Sequence, residues 1–263
     1  MHPLFDLTGK VALVTGATHG LGLAMAEGLA SAGATLVING HSSREKIDTA
    51  VSYLRDKGYS AHGYRFNVCN EDEVEQAIAG IESEVGPIDV LVNNAGIIKR
   101  IPILEMELSD WMDVIDTDLT GVFVMTKPVA KRMVARRQGK IINICSMMSE
   151  LGRDSVSAYA AAKGGLKMLT RNMATEWARH NIQVNGIGPG YFATEQTKPI
   201  RVDGHPFNDF IVSRTPAGKW GDPSDLQGAA IYLAAPASDF VSGQIIYVDG
   251  GILATIGKPS NEA

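Results

Sequence analysis

Seven short runs built largely from apolar residues recur along this chain: KVALVTG (10–16), ATLVING (34–40), AHGYRFNV (61–68), IDVLVNNAG (88–96), GKIINICS (139–146), IQVNGIGPG (182–190) and GQIIYVDGG (243–251). They are rich in β-branched residues and mostly continuous rather than alternating. Strands of that kind are buried on both faces, which is the condition of a parallel sheet. Parallel neighbours need long crossovers, and helix-like stretches such as EDEVEQAIAGIESEV and LKMLTRNMATEWARH lie between the runs. Acidic residues open the first stretch, and Arg179 and His180 close the second, as the helix dipole favours. The pattern predicts an α/β fold: a doubly wound, seven-stranded parallel sheet in three layers, one domain over residues 1–263. Residues 191–216 break the rhythm with prolines and a glycine. They read as a flap of short helices over the carboxyl ends of the strands, where such sheets bind ligands.

Composition narrows the partners. A net charge of −5 with scattered lysines and arginines offers no basic face for nucleic acid. The N-terminal MHPLFDLTGK lacks the plan of a signal peptide, and no apolar run is long enough to span a bilayer. Cys69 and Cys145 form neither a CxxC pair nor a zinc spacing, so no metal site is read. A cytoplasmic protein is expected.

The first strand runs into TGATHGLG (15–22) and then a helical stretch. Gly16 permits a tight exit from the strand, and Gly20 and Gly22 let a helix N-terminus approach a pyrophosphate. Placed at the first βα junction, this is the Rossmann-like signature of a nucleotide site. The next strand ends in Asn39, Gly40, His41, Ser42 and Ser43, with no carboxylate to hold a ribose 2′-hydroxyl and repel a 2′-phosphate. Arg44 with two hydroxyls can hold a phosphate, and His19 adds a weakly basic group nearby. NADP is therefore expected ahead of NAD. The competing account is that Ser43 and Arg44 merely begin the next helix.

Two Tyr–Lys pairs stand four residues apart, Tyr53 with Lys57 and Tyr159 with Lys163, so that each pair projects side by side from a helix. Only the second has a serine thirteen residues upstream: Ser146, at the end of the fifth strand. Gly40 holds that place for Tyr53, whose pair reads as a solvated face. With TGATHGLG, NNAG (93–96), Ser146, YAAAK (159–163) and PGYFAT (189–194) in this order, the sequence resembles the short-chain dehydrogenase/reductase family over nearly its whole length.

That resemblance implies an NAD(P)-dependent oxidoreductase acting on CH–OH groups, with Tyr159 as the acid/base group, Ser146 on the reacting oxygen and Lys163 beside both. A free phenol titrates near ~10 and is a poor base at neutral pH. An ammonium and an oxidised nicotinamide nearby both favour the phenolate. The resemblance further implies cofactor contacts from Gly16, Thr18, His19, Gly20, Leu21 and Gly22, and from Asn39, Gly40, His41, Ser42 and Arg44. Asn67 and Val68 fall at the adenine, and Asn94, Ala95 and Gly96 at the ribose. Pro189, Gly190, Phe192 and Thr194 fall at the nicotinamide, with Tyr159 and Lys163. One catalytic position departs from the family pattern. VIDTDLTGVF puts Asp118 where many members carry an asparagine that anchors a water relaying protons to the lysine. An aspartate can accept the same hydrogen bond and adds a charge attracting Lys163. Asn67 is a milder change, standing where many relatives have an aspartate. Members of the family usually assemble as tetramers through the helices carrying Asp118 and Tyr159 and through the C-terminal segment, here VDGGILATIGKPS (248–260), so a homotetramer is expected.

Within the family, the stretches at 142–171, 176–195 and 214–226 resemble the branch acting on gluconate and 5-keto-gluconate. A neighbouring branch acts on 2-deoxy- or 2-keto-3-deoxy-gluconate. Both imply an open-chain sugar acid. Arg100 and Arg153 can pair with a carboxylate, and Glu150 can accept from sugar hydroxyls; the other account is that Arg153 and Glu150 only brace their loop. Ser146 and Tyr159 face the reacting carbon. Lys99 reads as solvated and His205 as a loop histidine. Two further readings stand behind these, a nucleotide-binding protein without turnover and a reductase of steroid or acyl-carrier ketones. The intact Ser146–Tyr159–Lys163 set weighs against the first, and the polar loop residues against the second.

Overall fold

The computed structural model describes residues 2–257. Its strands are β1 (Val11–Val14), β2 (Thr35–Gly40), β3 (Ala61–Arg65), β4 (Ile88–Asn93), β5 (Gly139–Ile144), β6 (Ile182–Pro189) and β7 (Ile245–Val248). They form one parallel sheet in the order β3-β2-β1-β4-β5-β6-β7. All seven expected strands are present. The order reverses between β1 and β4, which opens a crevice at their carboxyl ends.

The helices are α1 (Gly20–Ser31), α2 (Arg44–Asp56), α3 (Glu71–Glu84), α4 (Leu108–Ile115), α5 (Gly121–Arg136), α6 (Ser157–Trp177), α7 (Pro206–Arg214) and α8 (Gln227–Ala234). Successive residues of a strand face opposite layers. Ala12 and Val14 of β1 accordingly pack with α1, α2 and α8, while Val11 and Leu13 pack with α3, α5 and α6. That two-sided burial is why the strands read as continuous apolar runs. Among the described residues, no helix is long and apolar enough to cross a membrane.

Polar side chains inside the second layer hold its helices in place. Asn93 donates from Nδ2 to Thr126 on α5 and to Asn143 on β5, both at 2.8 Å, and Asn143 donates to Thr170 on α6 at 2.9 Å. Asn93, Thr126, Asn143 and Thr170 are all buried, so each of these bonds satisfies a group that water cannot reach.

Residues 191–216 carry a 3₁₀ stretch (Glu195–Ile200) and α7, with His205 capping α7 by accepting from the Phe207 amide. Tyr53 and Lys57 do lie at the surface, but they are tied to α1 rather than merely solvated: both bond Glu27, at 2.9 and 2.5 Å. Of the C-terminal segment expected at an interface, residues 258–260 lie outside the described residues.

Candidate active site

The glycine turn is built by steric demand. Gly16 and Gly20 both have φ of +60°, which L side chains rarely adopt. The Asn39 carboxamide accepts from the Gly16 amide and donates to the Phe66 carbonyl, so this buried side chain ties the turn to β2 and the end of β3. Asn94 does the same from β4, donating from Nδ2 to the carbonyls of Thr15 and Gly16 at 2.9 and 3.0 Å. Thr15 Oγ1 accepts from the Asn94 and Ala95 amides. NNAG thus holds the glycine turn from below.

Gly22 also meets a steric demand of its own. A Cβ there would strike the Asn94 amide nitrogen and the Gly16 carbonyl, so the residue serves close packing of α1 on NNAG. Gly20 alone faces open space, its nearest neighbour being Thr194 Cγ2 at 4.0 Å. His19 occupies the N-cap of α1 but makes no capping bond; its Nδ1 meets Thr18 Oγ1 at 3.0 Å. The first amides of α1, at Gly20, Leu21 and Gly22, have no acceptor within the helix, and Gly20 lies beside Thr194, the last residue of PGYFAT. An uncapped helix N-terminus beside an open cradle is what a dinucleotide pyrophosphate fits.

At the end of β2, Ser43 caps α2 by accepting from the Lys46 amide, as the competing account required. Arg44 is 61% exposed and pairs at 3.0 Å with Asp48, which is itself 56% exposed. Such a pair contributes little and leaves the guanidinium available. Arg65, unforeseen from sequence, donates from Nε to the His41 carbonyl and puts a second cation by this loop. Asn67 Oδ1 accepts from Cys69 N at 3.0 Å, with one lone pair to spare. Val68 and Phe192 are both buried, and Phe192 packs over Gly221. Pro189 ends β6 and Gly190 follows it, with Gly190 N bonded to Val248 O.

The carboxyl end of β5 brings the reactive trio together. Ser146, 6% exposed, accepts on Oγ from Met148 N at 3.1 Å, which leaves its hydroxyl proton free to donate. Tyr159 is in the first turn of α6, its ring packed with the buried Val114, Ala158 and Ala162. Its hydroxyl has no hydrogen-bond partner among the described residues. Lys163 lies one turn on, 5.4 Å from the Tyr159 ring centroid. Its Nζ donates to the Ile144 carbonyl, two residues before Ser146, at 3.0 Å and pairs with Asp118 Oδ2 at 3.1 Å.

Asp118 is held in a π turn (Asp116–Thr120) between α4 and α5. It is fully buried and accepts on Oδ1 from Ile97 N at 2.7 Å; a Cβ at Gly96 would lie 2.9 Å from Oδ2. Among the described residues, Oδ2 receives no aligned hydrogen bond and has the ammonium as its only compensation. Burial pushes Lys163 down, but the Asp118 and Tyr159 charges outweigh it and hold the ammonium above its ordinary value.

Lys99 corrects another expectation. It is clamped to α4 by Asp110 at 2.7 Å and Asp113 at 2.5 Å rather than solvated. On its other side Ile101 N donates to Ser155 O. Arg100 is thus carried, exposed, between two anchored residues, and has no ion pair among the described residues. Arg153 is engaged: Nη1 donates to the Tyr191 hydroxyl at 3.1 Å, and the guanidinium lies 4.7 Å from the Phe207 ring centroid, joining this loop to the 191–216 segment. Glu150 is also occupied, by Lys167 and by Tyr247 at 2.5 Å. These contacts match the bracing account of both residues. Sequence reasoning missed Ser149, Lys167, Tyr191 and Arg65, because each acts through a contact between distant segments.

The chain matches the family model described as short chain dehydrogenase over residues 10–204. It is 70% identical to the 2-dehydro-3-deoxy-D-gluconate 5-dehydrogenase of Formosa agariphila, covering 98% of each chain. Identity is 50% to the 5-keto-D-gluconate 5-reductase of Escherichia coli, over 97% of this chain and 100% of that one. Among solved structures, a gluconate 5-dehydrogenase from Burkholderia cenocepacia in complex with NADP and tartrate superposes with a TM-score of 0.92 at 48% identity, over 97% and 99% of the two chains.

Proposed function

This chain belongs to the short-chain dehydrogenase family, and on that premise we propose that it moves a hydride reversibly between NADP(H) and carbon 5 of an open-chain sugar acid. One observation carries the reading: the buried Lys163 is bonded to β5 just before Ser146 and lies 5.4 Å from the ring centre of Tyr159, whose hydroxyl has no partner among the described residues. When bound, the dinucleotide supplies or accepts the hydride. The residues fit it. The α1 amides would take the pyrophosphate, Arg44 with Ser42 and His41 the 2′-phosphate, and Asn67 the adenine. Lys163 has three donors; the Ile144 carbonyl engages one and the Asp118 carboxylate pairs with the charge at 3.1 Å, so a donor is left for the nicotinamide ribose. Ser146 would donate to the reacting oxygen. Tyr159 would give that oxygen its proton in reduction and remove it in oxidation.

The three relatives named above share chemistry at C5, and the first is set apart from the two gluconate enzymes by a substrate that is keto at C2 and deoxy at C3. The 70% identity favours 2-dehydro-3-deoxy-D-gluconate and the 50% identity favours D-gluconate with its 5-keto form. The test is to mix the protein with NADPH and each 5-keto acid, follow cofactor absorbance, and repeat in reverse with NADP. Oxidation of NADPH by at least one of these acids is expected; none with either acid defeats the reading.

Arg44→Ala is expected to raise the KM for NADPH roughly tenfold, the loss of a charge-assisted contact, with little change for NADH. Equal losses would remove Arg44 from the 2′-phosphate. Arg100→Ala is expected to raise the KM for the acid about 10- to 100-fold, by loss of a guanidinium–carboxylate pair, and to leave an uncharged ketone unaffected. If both substrates change alike, Arg100 is structural.

Two broader properties belong to the same proposal. A homotetramer is supported by apolar side chains left exposed on α4, α5 and α6 (Leu108, Met112, Phe123 and Met168) and by the half-exposed edge strand β7. A reducing, cytoplasmic setting is supported by Cys69 and Cys145 both being free thiols. Residues 191–216 would act as the flap over the substrate, with Arg153 bracing it.

A further inference from the structure

We propose that Ser149 is a positioning residue for this reaction, fixing the register of Ser146 against the helix that carries Tyr159 and Lys163; the proposal rests on the functional reading above. Ser146 is extended, at φ −163° and ψ 161°, and the chain turns sharply after it into the 3₁₀ turn Met147–Ser149. Nothing in strand pairing fixes where that turn lies relative to α6. The Ser149 hydroxyl does so. It accepts from Ser146 N at 3.3 Å and donates to the main-chain carbonyl of Lys163 at 2.9 Å.

Lys163 O lies inside α6, where the helix already supplies a donor four residues on. The bond to Lys163 O therefore satisfies no carbonyl that would otherwise be orphaned, and what it adds is alignment; the same hydroxyl is the acceptor that the Ser146 amide has among the described residues. Lys163 also bonds in the opposite sense, from Nζ to Ile144 O at 3.0 Å. That second bond runs through a flexible four-carbon stem and cannot hold the helix main chain by itself. Only with Ser149 is the backbone of Lys163 tied to the backbone of Ser146 through one hydroxyl. Glu150 adds a separate anchor one turn further along α6, at Lys167, and on β7, at Tyr247. The turn thus keeps a second anchor when Ser149 is altered, and the expected loss is of alignment.

Small misplacements of reacting groups lower rates by as much as about 100-fold. Ser149→Ala is expected to lower kcat roughly 10- to 100-fold while the KM for NADPH stays near that of the parent. Ser149→Thr keeps the hydroxyl and is expected to restore kcat. Hydrogen exchange gives a readout independent of turnover: the amides of Ser146 and Met148 should exchange faster in Ser149→Ala and at the parent rate in Ser149→Thr. An unchanged kcat in Ser149→Ala, or a threonine variant as slow as the alanine one, overturns the proposal. If the parent turns over no keto acid, that failure belongs to the functional reading, and exchange alone decides; unchanged exchange overturns it. Should Ser149→Ala not fold, Ser149→Cys, a weaker donor of similar size, is read in the same way.

Discussion

Replacing Tyr159 by phenylalanine is expected to lower kcat by roughly 10²- to 10⁴-fold, the usual worth of a positioned acid/base group, while NADPH still binds. The fold gives reason to expect a clean separation. The ring is held by Val114, Ala158 and Ala162, contacts that phenylalanine keeps. The hydroxyl has no partner among the described residues, so its removal orphans no buried donor or acceptor. Thermal midpoint and cofactor titration should therefore match the parent within error, and only turnover should fall. Steady-state rates beside fluorescence titration with NADPH check this. Turnover near the parent level would mean that another group moves the proton. Lost cofactor binding would mean that the phenol serves the site rather than the step.

The layout of the fold was open to sequence reading because burial on both faces leaves a chemical mark: strands buried in a parallel sheet must be apolar throughout. The reactive trio was open for a related reason. Tyr159 and Lys163 share a helix face, and Ser146 ends the preceding strand, so a fixed interval along the chain becomes proximity in space. What could not be read depends on where crossovers land. Glu150 meets Tyr247 across 97 residues, and its meeting with Lys167 spans 17. No local pattern reports either contact. Lys99 looked solvated because its acidic partners, Asp110 and Asp113, become neighbours only once the loop after NNAG folds back on α4. Gly22 matched a phosphate motif, and the further constraint on it comes from Asn94, brought against it by sheet order. The role of Asn39 in tying the glycine turn was hidden for the same reason.

Asp118→Asn is expected to destabilise the protein and to move the alkaline limb of its activity to lower pH, although many family members carry asparagine at this position. In this chain the side chain is fully buried, and its Oδ2 faces the Lys163 ammonium at 3.1 Å. Burial acts to strip the proton from Lys163, and the Asp118 charge is the main force that keeps it. Because the folded lysine is held above its unfolded value, ~10.4, its bound proton is no limit on the pair below that value, where the contribution is full as long as Asp118 is ionised. On the alkaline side it is lost as pH rises through the higher folded value. Asparagine can still accept from Ile97 N but then turns an NH₂ toward the ammonium. Desolvation then has only the smaller effects of Tyr159 and Cys145 against it, and the lysine gives up its proton at lower pH. Breaking a buried pair on one side costs about 3–5 kcal/mol, while replacing both members by apolar groups costs far less. Asp118→Asn should thus lower the denaturation midpoint more than the double variant Asp118→Leu/Lys163→Met, which regains stability but has no activity. Denaturant titration and a kcat–pH profile check both arms. An asparagine variant with an unmoved midpoint and profile would show that the ion pair does not hold Lys163. A faster variant at neutral pH would show that the aspartate restrains the lysine it faces.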